Sequence, residues 1–127
     1  MIHRVMTSLI SLAAGFLLVA GQLSHAELPD PLAAGWKGEN VCEKLHETDE
    51  IRILRCTFPP GIGHERHYHP RHFGYAISGG TMRITDANGT RDAELPTGSY
   101  FSSDGIVWHE GLNIGESTVT YLMIEPK

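Results

Sequence analysis

The sequence predicts an all-β domain, on three observations. From residue 41 onward no stretch keeps a helical period for three turns; short runs of β-branched and aromatic residues recur instead. Turn signals separate those runs at short intervals, drawing on 14 Gly and 7 Pro. At 127 residues, 41% hydrophobic and 20% charged, the chain has the size and composition of one globular domain. Strands this numerous in about 100 residues suggest a closed sandwich or a small barrel. Fifteen acidic against ten basic residues give −5 with no basic run, so the electrostatic footprint of a nucleic-acid binder is missing. Neither an internal repeat nor a low-complexity segment interrupts the pattern.

The N-terminal segment reads as an address. His3 and Arg4 open it, Leu9 to Ala20 is an apolar run broken only by Ser11 and Gly15, and Ser24-His25-Ala26 closes it with small residues where a signal peptidase requires them. Residues 1–26 are therefore expected to be a signal peptide cleaved after Ala26, which makes the mature chain periplasmic or secreted and leaves it no membrane segment. The competing reading is an uncleaved anchor, because the run from Thr7 to Leu23 reaches the lower limit for crossing a bilayer. Residues 27–40 follow as a Pro/Gly-rich arm holding Pro29, Pro31, Gly35 and Gly38, expected to cross the surface before the first strand.

The domain proper, residues 41–127, divides into runs at 41–47, 51–58, 67–69, 73–78, 81–85, 91–95, 99–102, 106–109 and 118–124. The first two flank Thr48-Asp49-Glu50, a three-residue hairpin loop. Symmetric pairing about Asp49 sets Glu47 opposite Ile51 and Cys42 opposite Cys56. A non-hydrogen-bonded antiparallel pair lies within disulfide range, so in an oxidising compartment Cys42 and Cys56 can join; two buried free thiols are the alternative. Asn88-Gly89 marks a two-residue hairpin between Thr81–Thr85 and Arg91–Leu95.

Histidine is the unusual residue: there are eight, and His64, His67, His69 and His72 fall within nine positions. On a strand His67 and His69 point the same way, about 6.5–7 Å apart, a spacing that lets two imidazoles bind one ion. His109 arrives much later, in Ile106-Val107-Trp108-His109. His46 and His64 read as surface or internally satisfied imidazoles. Tyr75, Tyr100, Phe101 and Trp108 could line a pocket or belong to the core.

These residues resemble the two motifs of the cupin superfamily. Gly61 is followed by five residues, then His67-Tyr68-His69, with Gly79 closing the first motif. The second begins at Gly98, carries Asp104 and Ile106 at its Pro and Gly positions, and keeps His109 and Asn113 in register. The resemblance runs from about residue 41 to 125. It implies a cupin-type β-barrel (a double-stranded β-helix, or jelly roll), a metal held by His67, His69, His72 and His109, and a homodimer.

His72 stands where the family usually has a Glu ligand, after a shorter gap than usual. Pro70-Arg71 resembles the germin-like branch, but without the Glu oxalate chemistry does not follow. A set of imidazoles suits Fe, Cu, Ni or Zn and suits Mn less. Glu65 shares parity with His67 and His69 and could restore a carboxylate, or it could lie solvated on the surface. His72 has two parities: inward, beside Gly74, Ala76 and Ser78, with Phe73, Tyr75 and Ile77 outside; or at the rim, with those aromatics inside. The first expectation for function is a metal-dependent, dioxygenase-like oxidoreductase acting on a small organic substrate. The second is a non-catalytic periplasmic cupin that binds a metal or small ligand.

Overall fold

In the computed structural model, which describes residues 27–127, strands and their turns account for the chain from residue 35 onward. The arm folds first. Asp30 accepts the Ala33 N–H through Oδ1 and the Ala34 N–H through its carbonyl, closing a turn. A short hairpin follows, β1 (Gly35–Trp36) and β2 (Glu39–Asn40), turning through Lys37 and Gly38, both at positive φ. Pro31 is fully buried and the Pro29 carbonyl accepts the Tyr68 N–H, so the arm is seated against the domain and does more than cross its surface. The leader expected over residues 1–26 lies outside the described residues. Among the described residues no helix is long and apolar enough to cross a membrane.

Two antiparallel sheets make the barrel. β3 (Cys42–Glu47), β4 (Ile51–Phe58), β6 (His72–Ser78), β9 (Tyr100–Ser103) and β11 (Val119–Pro126) form one, in the order β3-β4-β11-β6-β9. β5 (Gly63–His69), β7 (Gly80–Asp86), β8 (Gly89–Leu95) and β10 (Ile106–Asn113) form the other, in the order β5-β10-β7-β8. Successive strands repeatedly change sheet, which wraps the chain around one interior. Leu54, Cys56, Phe58, Met82, Val119 and Met123 fill part of that interior from both sheets. Burying each such side chain is worth about 1.5–3 kcal/mol.

Two hairpins differ from the sequence expectation by one residue. Cys42 does face Cys56, and the two are joined in a disulfide. Past Lys44↔Leu54, however, the register shifts, so Glu47 faces Arg52 and not Ile51. Leu45 is the extra residue, a bulge that symmetric counting about Asp49 could not include. In the later hairpin Asp86 pairs with Gly89, so the two-residue loop is Ala87-Asn88. Gly89 opens β8 at φ +113, a conformation that disfavours any side chain.

Arg52 locks the arm to the large sheet. Its guanidinium donates to Asp30 at 2.7 Å and to the buried Glu125 at 2.5 Å. These partners raise the Arg52 pKa against the opposing effect of burial. Asn113 performs a similar task at the other end: Nδ2 donates to the Phe58 and Ser117 carbonyls, and Oδ1 accepts the Gly115 N–H. That amide therefore closes the loop after β10 onto β4.

Candidate metal centre

Three imidazoles converge inside the barrel. Nε2 of His67 lies 2.9 Å from Nε2 of His69, which lies 2.8 Å from Nε2 of His109; the third side of the triangle is 3.1 Å. His67 and His69 come from β5 and His109 from its partner β10, where His109 and His67 are directly opposed. Two register shifts bracket that pair, one between Ile106 and His109 and one between His109 and Gly111. The second shift lies on the β5 side, where two residues separate His64 from His67 against one between His109 and Gly111 on β10. That bulge changes parity: His64 joins His67 and His69 inside, while Glu65 turns outward.

Glu65 accordingly takes no part in the cluster; its carboxylate accepts the Lys37 N–H at 3.0 Å. The strand parity that linked it to His67 is broken between them. His64 is buried and satisfied, its Nε2 donating to the Pro31 carbonyl at 3.0 Å, and its ring lies 3.7 Å from that of His67. A second face of the histidine cluster is thus pinned by the arm. His46 has its place on the exposed part of β3.

His72 points inward, as do Gly74 and Ala76, and Phe73, Tyr75 and Ile77 are exposed on the other face. Its ring packs 4.6 Å from that of His69, but it is not one of the three residues whose ligand atoms converge within 4.8 Å. Its Nδ1 donates to the Pro70 carbonyl at 2.8 Å, which leaves Nε2 as the lone-pair nitrogen. His67 is fixed in the same tautomer by a 2.6 Å bond from Nδ1 to the Glu65 carbonyl. Its Nε2 lone pair is therefore aimed at the other two rings.

Burial keeps the rings of His64, His67, His69 and His109 neutral. It is the main cause that lowers the pKa of His67, pushes that of His69 far down, and brings His109 to about 4 and His64 to about 3. A neutral imidazole is the ligating form. Metal–nitrogen bonds of about 2.0–2.1 Å give nitrogen separations of about 2.9 Å at right angles and about 3.3 Å in a tetrahedron. The observed edges of 2.8, 2.9 and 3.1 Å fit the right-angled set. The donor set thus fits a divalent transition ion held on one face, with further positions open.

The open side meets a cavity of about 270 Å³. Phe58, Met82, Ile84, Leu95, Phe101, Ile106, Tyr121 and Met123 make it largely apolar. Of the aromatics singled out in the sequence, only Phe101 lines it. Gly74 makes room for that ring, since a Cβ there would stand 2.5 Å from Phe101 Cζ. Tyr75 and Tyr100 are exposed, and Trp108 is half-buried under the Arg66 guanidinium, 3.9 Å from the ring centre. Phe58 and Tyr121 are the aromatics that the sequence reading missed. Each lies at an inward position of a strand, but only the final register identifies the inward face.

An antiparallel double-sheeted barrel with a histidine triad at one end of its cavity defines a class of small metal-competent β-barrel proteins. The family model for the cupin domain matches residues 54–125, and the chain belongs to that family. A cupin domain from Bordetella pertussis superposes with a TM-score of 0.65 at 18% identity, covering 68% of this chain and 92% of its own. An RmlC-like cupin family protein from Methanocaldococcus jannaschii gives 0.55 at 18% identity, with 73% and 87% covered. A predicted oxalate decarboxylase from Thermotoga maritima gives 0.51 at 18% identity, with 65% and 76% covered. At this identity the likeness is one of fold. None of the curated proteins matches the sequence.

Proposed function

We propose that this chain is an exported cupin that holds one divalent transition metal on His67, His69 and His109 and acts on a small organic substrate as a dioxygenase-like oxidoreductase. The observation that carries the reading is the near-equilateral triangle of Nε2 atoms facing an apolar cavity, with edges that suit right angles at a shared ion. Right-angled imidazole sets belong to five- and six-coordinate Fe, Ni or Cu more than to tetrahedral Zn, and Mn prefers oxygen ligands. When bound, such an ion activates oxygen or polarises a chelating carbonyl. The residues of the chain supply the rest. The carbonyls of Glu65 and Pro70 orient His67 and His72, burial keeps His67, His69 and His109 unprotonated, and the apolar walls limit water around the reacting groups. The similarity to a predicted oxalate decarboxylase does not carry over its substrate, because among the described residues no carboxylate joins the triad.

The second reading is a non-catalytic binding cupin, and His72 is the observation in its favour. An inward imidazole with a free Nε2 beside His69 is a candidate fourth donor, and a filled shell marks a structural site. Export after cleavage at Ala26 is supported by the apolar leader and by the Cys42–Cys56 disulfide. Residues 41–127 form the cupin domain and residues 27–40 its seated arm. The exposed aromatic face of the large sheet supports a homodimer, and the acidic, non-basic surface supports a small molecule as ligand in preference to nucleic acid.

Elemental analysis of untagged mature protein tests the metal, with one Fe, Ni or Cu per chain expected and loss of stoichiometric metal in the His67→Ala, His69→Ala double variant. Azide or nitric oxide added to the loaded protein separates the two readings. A changed electron paramagnetic resonance spectrum means an open position and supports the enzyme; an unchanged one means a closed shell and a binder.

A further inference from the structure

Among the described residues, one charged side chain lines the cavity. It is Arg91, on β8. Arg91 shares its strand face with Ala93 and Leu95, which also line the cavity, and stands opposite Ile84 in the β7–β8 pairing. Asp86 holds it at the mouth. The Asp86 carboxylate takes the Asn88 N–H on Oδ1 and one N–H from Arg91 Nη1 on Oδ2, at 2.7 Å, and Asp86 is itself directly opposite His109. Through Asp86 the guanidinium is thus placed on the His109 side of the cavity.

A guanidinium has five N–H donors, and the structure gives Asp86 only one of them. The side chain is 58% exposed, so the remaining edge is available at the entrance. Because Asp86 offsets the net charge, any selectivity there comes from the planar fork of donors, which matches a carboxylate in two parallel hydrogen bonds. The walls behind it offer apolar surface and little else. We propose that Arg91 is the specificity-determining residue of this cavity, anchoring the carboxylate of a ligand whose apolar body lies between Arg91 and the histidine triad. The inference rests on the reading of this cavity as the ligand site of the metal centre. It names the substrate class: a small hydrophobic monocarboxylic acid.

The test compares 3-phenylpropanoate with its neutral amide, 3-phenylpropanamide, by calorimetry on metal-free mature protein, where no ion can attract the carboxylate. The parent should bind the carboxylate at least about tenfold more tightly than the amide, the margin expected of a charge-assisted bidentate pair. Arg91→Gln should abolish that margin by weakening the carboxylate alone, and Arg91→Lys, which keeps the charge but loses the fork, should retain part of it. Equal binding of the two probes by the parent, absence of binding by either, or an undiminished margin in Arg91→Gln overturns the proposal and leaves Arg91 a surface partner of Asp86. Elemental analysis of the same preparations tests the metal reading separately. A chain that takes no metal yet keeps the margin retains the anchor and loses the metal enzyme. One metal per chain without any margin has the opposite meaning.

Discussion

At His72 two facts about one imidazole pull in different directions. The side chain is buried and inward, with Nε2 free, which makes it competent as a ligand. Yet its nitrogen is not among the three that converge, and its ring lies against His69. A residue so placed supports the cluster by packing and by fixing the His69 ring, even where it does not touch the ion. His72→Ala is therefore expected to weaken metal affinity by about tenfold or more, the usual cost of losing a supporting partner, and by less than His67→Ala does. His72→Glu, which restores a carboxylate beside the triad, should keep the metal and move preference toward Mn or Fe. Competitive titration with a chromophoric chelator measures both. Affinity in His72→Ala equal to that of the parent would remove His72 from the site. Alternation alone allowed His72 either parity; the inward one that the structure shows is the one favoured by the family register, which has a Gly two residues on where Gly74 stands. A buried, internally satisfied His64 was one of the sequence readings, but its place against His67 was not legible, because the bulge that turns it inward leaves no mark in a run reading His-Glu-Arg-His-Tyr-His.

Elements were easier to read than their registers. Alternation and turn residues located the large-sheet and small-sheet strands of the domain, since both depend on local chemistry. Bulges at Leu45 and between His64 and His67 depend on how two strands twist together, and no local residue announces them. The β3–β4 hairpin shows both sides of this. The cysteines lie on the regular side of the Leu45 bulge, so symmetric counting found their pairing and missed that of Glu47. The disulfide they form pins the edge strand β3 to β4, and Cys56 also lines the cavity. With a sequence separation of 14, the cross-link is worth about 3 kcal/mol in the chain-entropy model. For a domain of this size, that corresponds to a fall in Tm of more than about 10 °C when the bridge is replaced by Cys42→Ala, Cys56→Ala. Scanning calorimetry measures the shift, and intact mass with alkylation before reduction verifies the bridge. A Tm unchanged within about 2 °C would show that packing of β3 alone suffices.

Among the described residues the histidines of β5, β6 and β10 are turned inward, while aromatic rings on the outer face of the large sheet stand in water. On the outer face of the large sheet Phe73, Tyr75 and Ile77 are 36%, 40% and 42% exposed, and Tyr100 on β9 is 71% exposed. The pairing makes them continuous: Tyr100 is opposite Tyr75, Tyr75 opposite Leu122, Phe73 opposite Ile124, and Ile124 opposite Ile53. Phe73 and Tyr100 also stack, with centroids 5.8 Å apart. Scattered apolar side chains on a surface need no explanation, but an unbroken patch spanning four strands does. A second copy of the same face is the simplest cover, because a two-fold axis brings like residues together and the charges beside the patch, Arg55 and Glu43, are paired with each other. Mature protein at micromolar concentration is thus expected to sediment as a dimer. Tyr75→Glu with Tyr100→Glu should place four carboxylates in that interface and give a monomer with its metal content unchanged, because both side chains point away from the cavity. Monomeric sedimentation of the parent at these concentrations would leave the aromatic face without a second copy to cover it.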